Sequence, residues 1–137
     1  MTTAKTIPDG FHTITPYMIV KEADRAIRFY AEAFGAIEIS RIQDEDGRIG
    51  YAELQIGDSR LMISDEYPEI NVLGPQTLGG TTISLHLYVD DADAWAARAI
   101  AAGASVERPM ADQGDLGIRT GIYRCSFGHR WFITHRI

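Results

Sequence analysis

The sequence predicts an α+β fold in which two βαβββ modules form a curved mixed sheet around a concave ligand pocket. Three observations carry this expectation. The order strand, helix, three strands occurs twice along the 137 residues. Val20-Lys21-Glu22-Ala23-Asp24 returns 69 positions later as Val89-Asp90-Asp91-Ala92-Asp93. Gly50 and Gly57 return as Gly121 and Gly128 at an offset of 71, with equal spacing inside each pair. Glycine alone takes positive φ cheaply, so glycines repeated at one spacing imply a repeated backbone conformation. Such periodicity marks an internal duplication. The expected organisation is one domain over 1–137, with a first module at 11–66, a linker at 67–80 and a second module at 81–137.

Each element has a local reason. "ITPYMIV" (14–20) reads as a strand, with Pro16 marking an edge or the strand's beginning. "EADRAIRFYAEAFGA" carries Ala23, Ala26, Ile27, Tyr30, Ala33 and Phe34 on one helical face, and Gly35 is placed to stop the helix. Strands follow at roughly 36–43, 49–56 and 60–64, with Asp46-Gly47 and Gly57-Asp58 at the turns. The Pro- and Gly-rich stretch 65–80 separates the halves. "ISLHLYV" is then a strand, "DADAWAARAIAAG" a helix ending at Gly103, and "ASVERPM", "GIYRCS" and "RWFITHRI" are strands.

Composition narrows the classes of function. With 45% hydrophobic and 23% charged residues, the chain reads as an ordinary globular protein. No apolar run reaches the roughly 18–20 residues that span a bilayer, and "MTTAKTIPDGFH" lacks the apolar core of a secretion signal. The net charge of −6 argues against nucleic-acid binding, which needs a basic face. A cytoplasmic protein with no membrane partner is expected. The single cysteine, Cys125, excludes an intrachain disulfide and a CxxC-type zinc site. With no adjacent base, it is not expected to be a nucleophile.

Strand alternation sorts the side chains into faces. Ile83, Leu85, Leu87 and Val89 form the row that suits the helices, whereas Ser84, His86 and Tyr88 form the opposite row. Thr15, Tyr17 and Ile19 match the latter in the first module. On this projection the pocket is lined by Tyr17, Tyr51, Glu53, Leu61, Ile63, Ser84, His86, Tyr88 and Phe132. Tyr51 and Glu53 turn to solvent instead if the register of their strand is flipped. Trp131 and Trp95 read as core, His129 as facing water at a hairpin turn, and His135 as a satisfied or exposed side chain.

The blocks "ITPYMIV…A.RFY..AFGA", "DGRIGYAELQIGDSRLMISDE", "LGGTTISLHLYVDDADA" and "FGHRWFITH" resemble the PhnB-like branch of the vicinal oxygen chelate (glyoxalase, bleomycin resistance protein, extradiol dioxygenase) superfamily, from about Phe11 to Ile137. The resemblance implies a vicinal oxygen chelate fold and commonly a homodimer, sometimes with modules exchanged between chains. It also implies metal ligands on the inward faces of the first, fourth, fifth and eighth strands. Those positions fall on Thr15, on Leu61 or Met62, on Ser84 and on Phe132. Neutral hydroxyls are weak ligands, and Leu and Phe supply no donor. No metal and no other cofactor is therefore expected. A displaced site would have to combine His86 with His12, Glu53 and His135. Relatives carry an aromatic pair after "DQ" and Asp-Pro before "FGH". Here 112–126 holds an extra Gly-Asp stretch, and Cys125-Ser126 replaces Asp-Pro, so a differently shaped loop over the pocket is expected.

The expected function is metal-independent binding of a small organic ligand such as an aromatic antibiotic, giving resistance by sequestration. The alternative is a metal-dependent or His-dependent lyase, isomerase or dioxygenase, with His86 as base beside Tyr88 or Glu53. Glu53, Asp65 and Glu66 are the groups that would draw a cationic ligand.

Overall fold

The computed structural model describes residues 4–137. The first three residues of the expected 1–137 domain, which begin the segment read for a secretion signal, lie outside them. Strand β1 (Tyr17–Val20), helix α1 (Ala23–Phe34) and strands β2 (Ile37–Gln43), β3 (Ile49–Ile56) and β4 (Ser59–Asp65) form the first module. A 3₁₀ turn (Pro68–Ile70) and one short helical turn, α2 (Pro75–Leu78), occupy the connection. Strand β5 (Ser84–Tyr88), helix α3 (Ala92–Ala101) and strands β6 (Ser105–Gln113), β7 (Ile118–Arg124) and β8 (Arg130–Arg136) repeat the order. The expected βαβββ modules are present, as two four-stranded sheets ordered β1-β4-β3-β2 and β5-β8-β7-β6. In each sheet the first strand pairs in parallel with the last, and the other pairs are antiparallel.

The repeated glycines turn out to serve two purposes. Gly57 and Gly128 have positive φ, +56° and +92°, in the β3–β4 and β7–β8 turns. Gly50 and Gly121 lie inside strands, where a Cβ would come within 3.1 Å of the Tyr67 hydroxyl and 2.7 Å of the Tyr123 hydroxyl respectively. Close approach of a side chain, not a turn, accounts for that half of the repeat.

Helix starts are also built in parallel. Asp65, at the end of β4, accepts the Ala23 N–H through Oδ1 and the Ile49 N–H through Oδ2, each at 2.7 Å. At the corresponding place in β8, His135 Nδ1 accepts the Ala92 N–H at 2.8 Å. Asp91 adds a side-chain cap to the Ala94 N–H, whereas Glu22 makes none. The N–H groups of a first helical turn have no partner within the helix, and a strand-end acceptor supplies one in each module.

A single core joins the modules. Tyr30 and Phe34 of α1 lie 5.3 and 4.9 Å, ring to ring, from Trp131 of β8, and Phe34 stacks on Trp95 of α3 at 6.1 Å. Trp131 Nε1–H donates to the fully buried Tyr30 hydroxyl, which also meets Cys125 Sγ at 3.2 Å. Burial, and after it Cys125, pushes the Tyr30 hydroxyl well above its ordinary pKa. Arg98 of α3 donates to the Glu32 and Ala31 carbonyls at the end of α1, where a cation suits the helix dipole.

Several expected boundaries shift. β1 starts at Tyr17 instead of 14, because Pro16 has no N–H to give and joins only through its carbonyl, which accepts from Met62 at 2.9 Å. β6 and β7 run further than expected, and Gly114–Leu116 form a 3₁₀ turn at their tip. With the hairpin lengthened, the extra Gly-Asp stretch does not border the clefts described below. No helix among the described residues is long and apolar enough to cross a membrane.

Ile133→Ala should cost about 2–5 kcal/mol of stability in urea unfolding, because Ile133 is fully buried in the shared core. Far-UV circular dichroism and tryptophan fluorescence should report one coincident transition. Separate transitions would mean two independent cores.

Candidate functional site

Each sheet buries one face beneath the helices and leaves the other open. Tyr17 pairs with Met62, and Met62 with Glu53, so these three share the open face of the first sheet. His86 pairs with Phe132, Phe132 with Ile122, and Tyr88 with Thr134, which pairs with Thr120; these line the open face of the second. β1 and β5 pair on one side only, and among the described residues no backbone ladder joins them.

Two adjoining clefts flank these edges. One, of 540 Å³, is bordered by His12, Leu61, His86, Tyr88, Trp95 and Trp131 and reaches the margin of the shared core. The other, of 1110 Å³, takes in Thr15, Tyr17, Leu78, Ile83, Ser84 and His129. His86 borders both. Cavities of several hundred Å³ with apolar walls and a few polar groups accommodate medium-sized organic ligands.

The nine expected pocket residues divide. Tyr17, Ser84, His86 and Tyr88 meet at the clefts, with Phe132 beside His86. Tyr51 and Glu53 lie on the open face of the first sheet and border neither cleft, although the Tyr51 ring packs edge-on against Tyr17 at 6.0 Å. There the Tyr51 hydroxyl donates to Glu53 Oε1 at 2.6 Å. Burial and that contact push the Tyr51 pKa to about 12. Leu61 and Ile63 do not share this face. The register that sets Met62 opposite Tyr17 turns both into the core, at 4% and 0% exposure, and Leu61 reaches only a cleft margin. Met62 is thus the fourth-strand residue on the open face.

The acidic groups read as attractors of a cation are otherwise engaged. Asp65 holds two backbone N–H groups, Glu66 accepts from Gly74 N–H at 2.7 Å, and Glu53 pairs with Arg60 at 3.3 Å. His129 is part-buried at the larger cleft instead of standing free in water. Its Nε2 lies 3.0 Å from the Ile19 carbonyl, tying the β7–β8 turn to β1, and burial holds its pKa below the ordinary value.

Around His86 the sequence reading missed two residues. His86 Nε2 lies 2.7 Å from Thr134 Oγ1, which lies 2.7 Å from Thr120 Oγ1. Both threonines are buried. The imidazole stacks on Phe132 at 5.2 Å with a 6° interplanar angle, and on Tyr88 at 4.8 Å and 22°. Desolvation by these neighbours lowers the His86 pKa. Extending the Phe132 row by two residues finds Thr134, whereas Thr120 needs the β7–β8 register.

The metal chemistry implied by the resemblance does not fit these residues. Thr15 and Ser84 offer neutral hydroxyls, Leu61 faces the core, Met62 offers a thioether and Phe132 a ring. The displaced set is not assembled either, since His135 sits on the helix side of β8, at the start of α3. Among the described residues, only Asp91, Asp93 and His135 bring three potential ligand atoms within 4.8 Å of one another. Arg119 grips Asp93 at 2.8 and 3.0 Å, and the other two cap α3, so this group is built as a helix start.

Comparison with known proteins agrees with this geometry. Residues 10–132 match the family described as the Glyoxalase/Bleomycin resistance protein/Dioxygenase superfamily. The uncharacterized protein Mb0911c of Mycobacterium bovis is 38% identical over 121 residues, covering 86% of this chain and 79% of that protein. TioX from Micromonospora sp. ML1 superposes with a TM-score of 0.69 at 25% identity, covering 92% of this chain and 97% of TioX. The PhnB protein of Bacillus cereus shares the fold with a TM-score of 0.70 at 16% identity, over 90% of this chain and 99% of its own. The chain belongs to the glyoxalase/bleomycin resistance protein/dioxygenase superfamily.

Proposed function

We propose that the chain is a metal-independent binding protein that captures a small organic ligand, such as an aromatic antibiotic, beside β1 and β5. Capture lowers the ligand's free concentration in the cytoplasm and so confers resistance. Its main support is the chemistry of the four positions where metalloenzymes of this superfamily place ligands. Thr15, Leu61 or Met62, Ser84 and Phe132 cannot gather the several N, O or S donors a divalent cation needs. Sequestration requires shape and affinity only. Tyr17, Tyr88 and Phe132 offer flat surfaces on which aromatic ligands stack at little entropic cost.

Elemental analysis of the purified protein should find less than stoichiometric nickel, zinc, iron and manganese. Bleomycin, used as the probe, should quench the fluorescence of Trp95 at the cleft margin. His86→Ala should weaken that binding about tenfold, the scale of one lost hydrogen bond plus ring contact. Stoichiometric metal, or turnover abolished by chelation or by His86→Ala, would replace this reading with a lyase, isomerase or dioxygenase.

The binding unit is a homodimer in this proposal. The unpaired edges of β1 and β5 carry Tyr17 and Tyr88, and the residues leading into them include Ile14 and Ile83; the four are exposed by 48%, 67%, 85% and 71%. Exposed large apolar side chains beside unpaired strand edges call for cover. Sedimentation should give a dimer, and Ile83→Lys should shift it toward monomer; a wild-type monomer at all concentrations would refute this part.

A further inference from the structure

The hydroxyl chain behind His86 determines which ring nitrogen carries the proton. Among the described residues, the Thr120 hydroxyl has one partner, Thr134 Oγ1, and Thr134 Oγ1 has two, Thr120 and His86 Nε2. Two hydrogen bonds therefore link three groups. If Nε2 is unprotonated, Thr120 donates to Thr134 and Thr134 donates to Nε2, so both hydroxyl protons are used. If Nε2 carries a proton, it donates to Thr134, and whichever hydroxyl then donates to the other, one of the two hydroxyl protons has no acceptor. Thr134 is 0% exposed and Thr120 4%, so water does not rescue that proton. An unmade buried donor is costly, and the first arrangement wins.

We propose that His86 is held as the Nδ1–H tautomer, a fixed hydrogen-bond donor aimed away from Thr134 toward the clefts. The site then selects ligands that place a carbonyl or carboxylate oxygen against Nδ1. Nδ1 has no partner of its own among the described residues, and the ring is clamped between Tyr88 and Phe132, so its direction is set before a ligand arrives. The lowered pKa acts in the same sense, because a protonated ring would leave one of the two hydroxyl protons in the same orphaned state. His86 in this arrangement is a donor and not a general base, since its only lone pair is already accepting from Thr134.

The ligand class rests on the binding reading above, whereas the tautomer does not, and the experiment separates them. Long-range ¹H–¹⁵N spectra of histidine-labelled protein without ligand should show His86 protonated at Nδ1 and bare at Nε2, the favoured form exceeding the other by about tenfold. Thr134→Ser should keep that pattern. The double variant Thr120→Val with Thr134→Val removes both hydroxyls without orphaning either, and should shrink the excess of the Nδ1–H form, because Nε2 then meets neither a donor nor an acceptor. Benzoate and benzamide should then shift the wild-type Nδ1 signal, and benzylamine should not. An Nε2–H ring in the wild type, or a tautomer unchanged in the double variant, overturns the proposed lock. Failure of both benzoate and benzamide to shift Nδ1, or an equal shift by benzylamine, overturns the ligand class. A correct tautomer and oxygen preference with no capture of bleomycin would sink the antibiotic reading alone.

Discussion

The structure depends on α1 and α3 meeting across the module boundary. Phe34 lies between Trp95 and Trp131, Tyr30 closes the cluster, and Arg98 stitches the end of α1 to the flank of α3. This packing uses up the helix-facing side of both sheets. Each sheet is therefore left with one bare face and two unpaired edges, at β1 and β2 in the first and at β5 and β6 in the second, and the bare faces beside β1 and β5 are where ligand chemistry can be placed. Removal of apolar area from water at the junction determines, by exclusion, which surfaces stay available.

Within that frame the modules have kept their devices and changed their chemistry. Asp65 and His135 both take the first N–H of a helix, one as a carboxylate and the other as an imidazole. His129 anchors a turn to β1, and His86 sits against a hydroxyl pair. Three of the four histidines thus have their polar contacts fixed by strand and helix geometry, which leaves little scope for gathering them round an ion.

Much of the fold was legible in the sequence because its signals are local. The apolar face of α1 and the stop at Gly35 depend on residues within two turns of each other, and Gly35 takes φ of +66° as expected. β3 matches its expected span for the same reason. The face assignment of β4 was not legible. The end of this strand is buried on both faces, at Ile63 and Ser64, and Met62 on the open face is as apolar as Leu61 on the core face, so alternation of polarity gives no direction. Only its parallel pairing with β1 settles the matter, and that pairing is made across a helix and two strands. His129 was misread for a related reason, since a turn histidine looks solvated until the turn is seen lying against another strand. At the site, Ser84, His86 and Tyr88 followed from period two, whereas the Thr120–Thr134 contact is a cross-strand event that no spacing announces.

The connection between the modules has an uneven character. Gly74 passes so near the Ile19 carbonyl that a Cβ there would stand 2.9 Å from it, and the turn at Gly128 presses on Pro75. Beyond α2, a Cβ at Gly79 or Gly80 would meet nothing within 4 Å, and residues Gly79 to Thr82 are largely exposed. A protease would find its opening at that stretch. Scission there would not release two proteins, because each fragment is the lid on the other's aromatic core. The nicked halves should elute together in size-exclusion chromatography, as a non-covalent pair that behaves as one body until denaturant separates them.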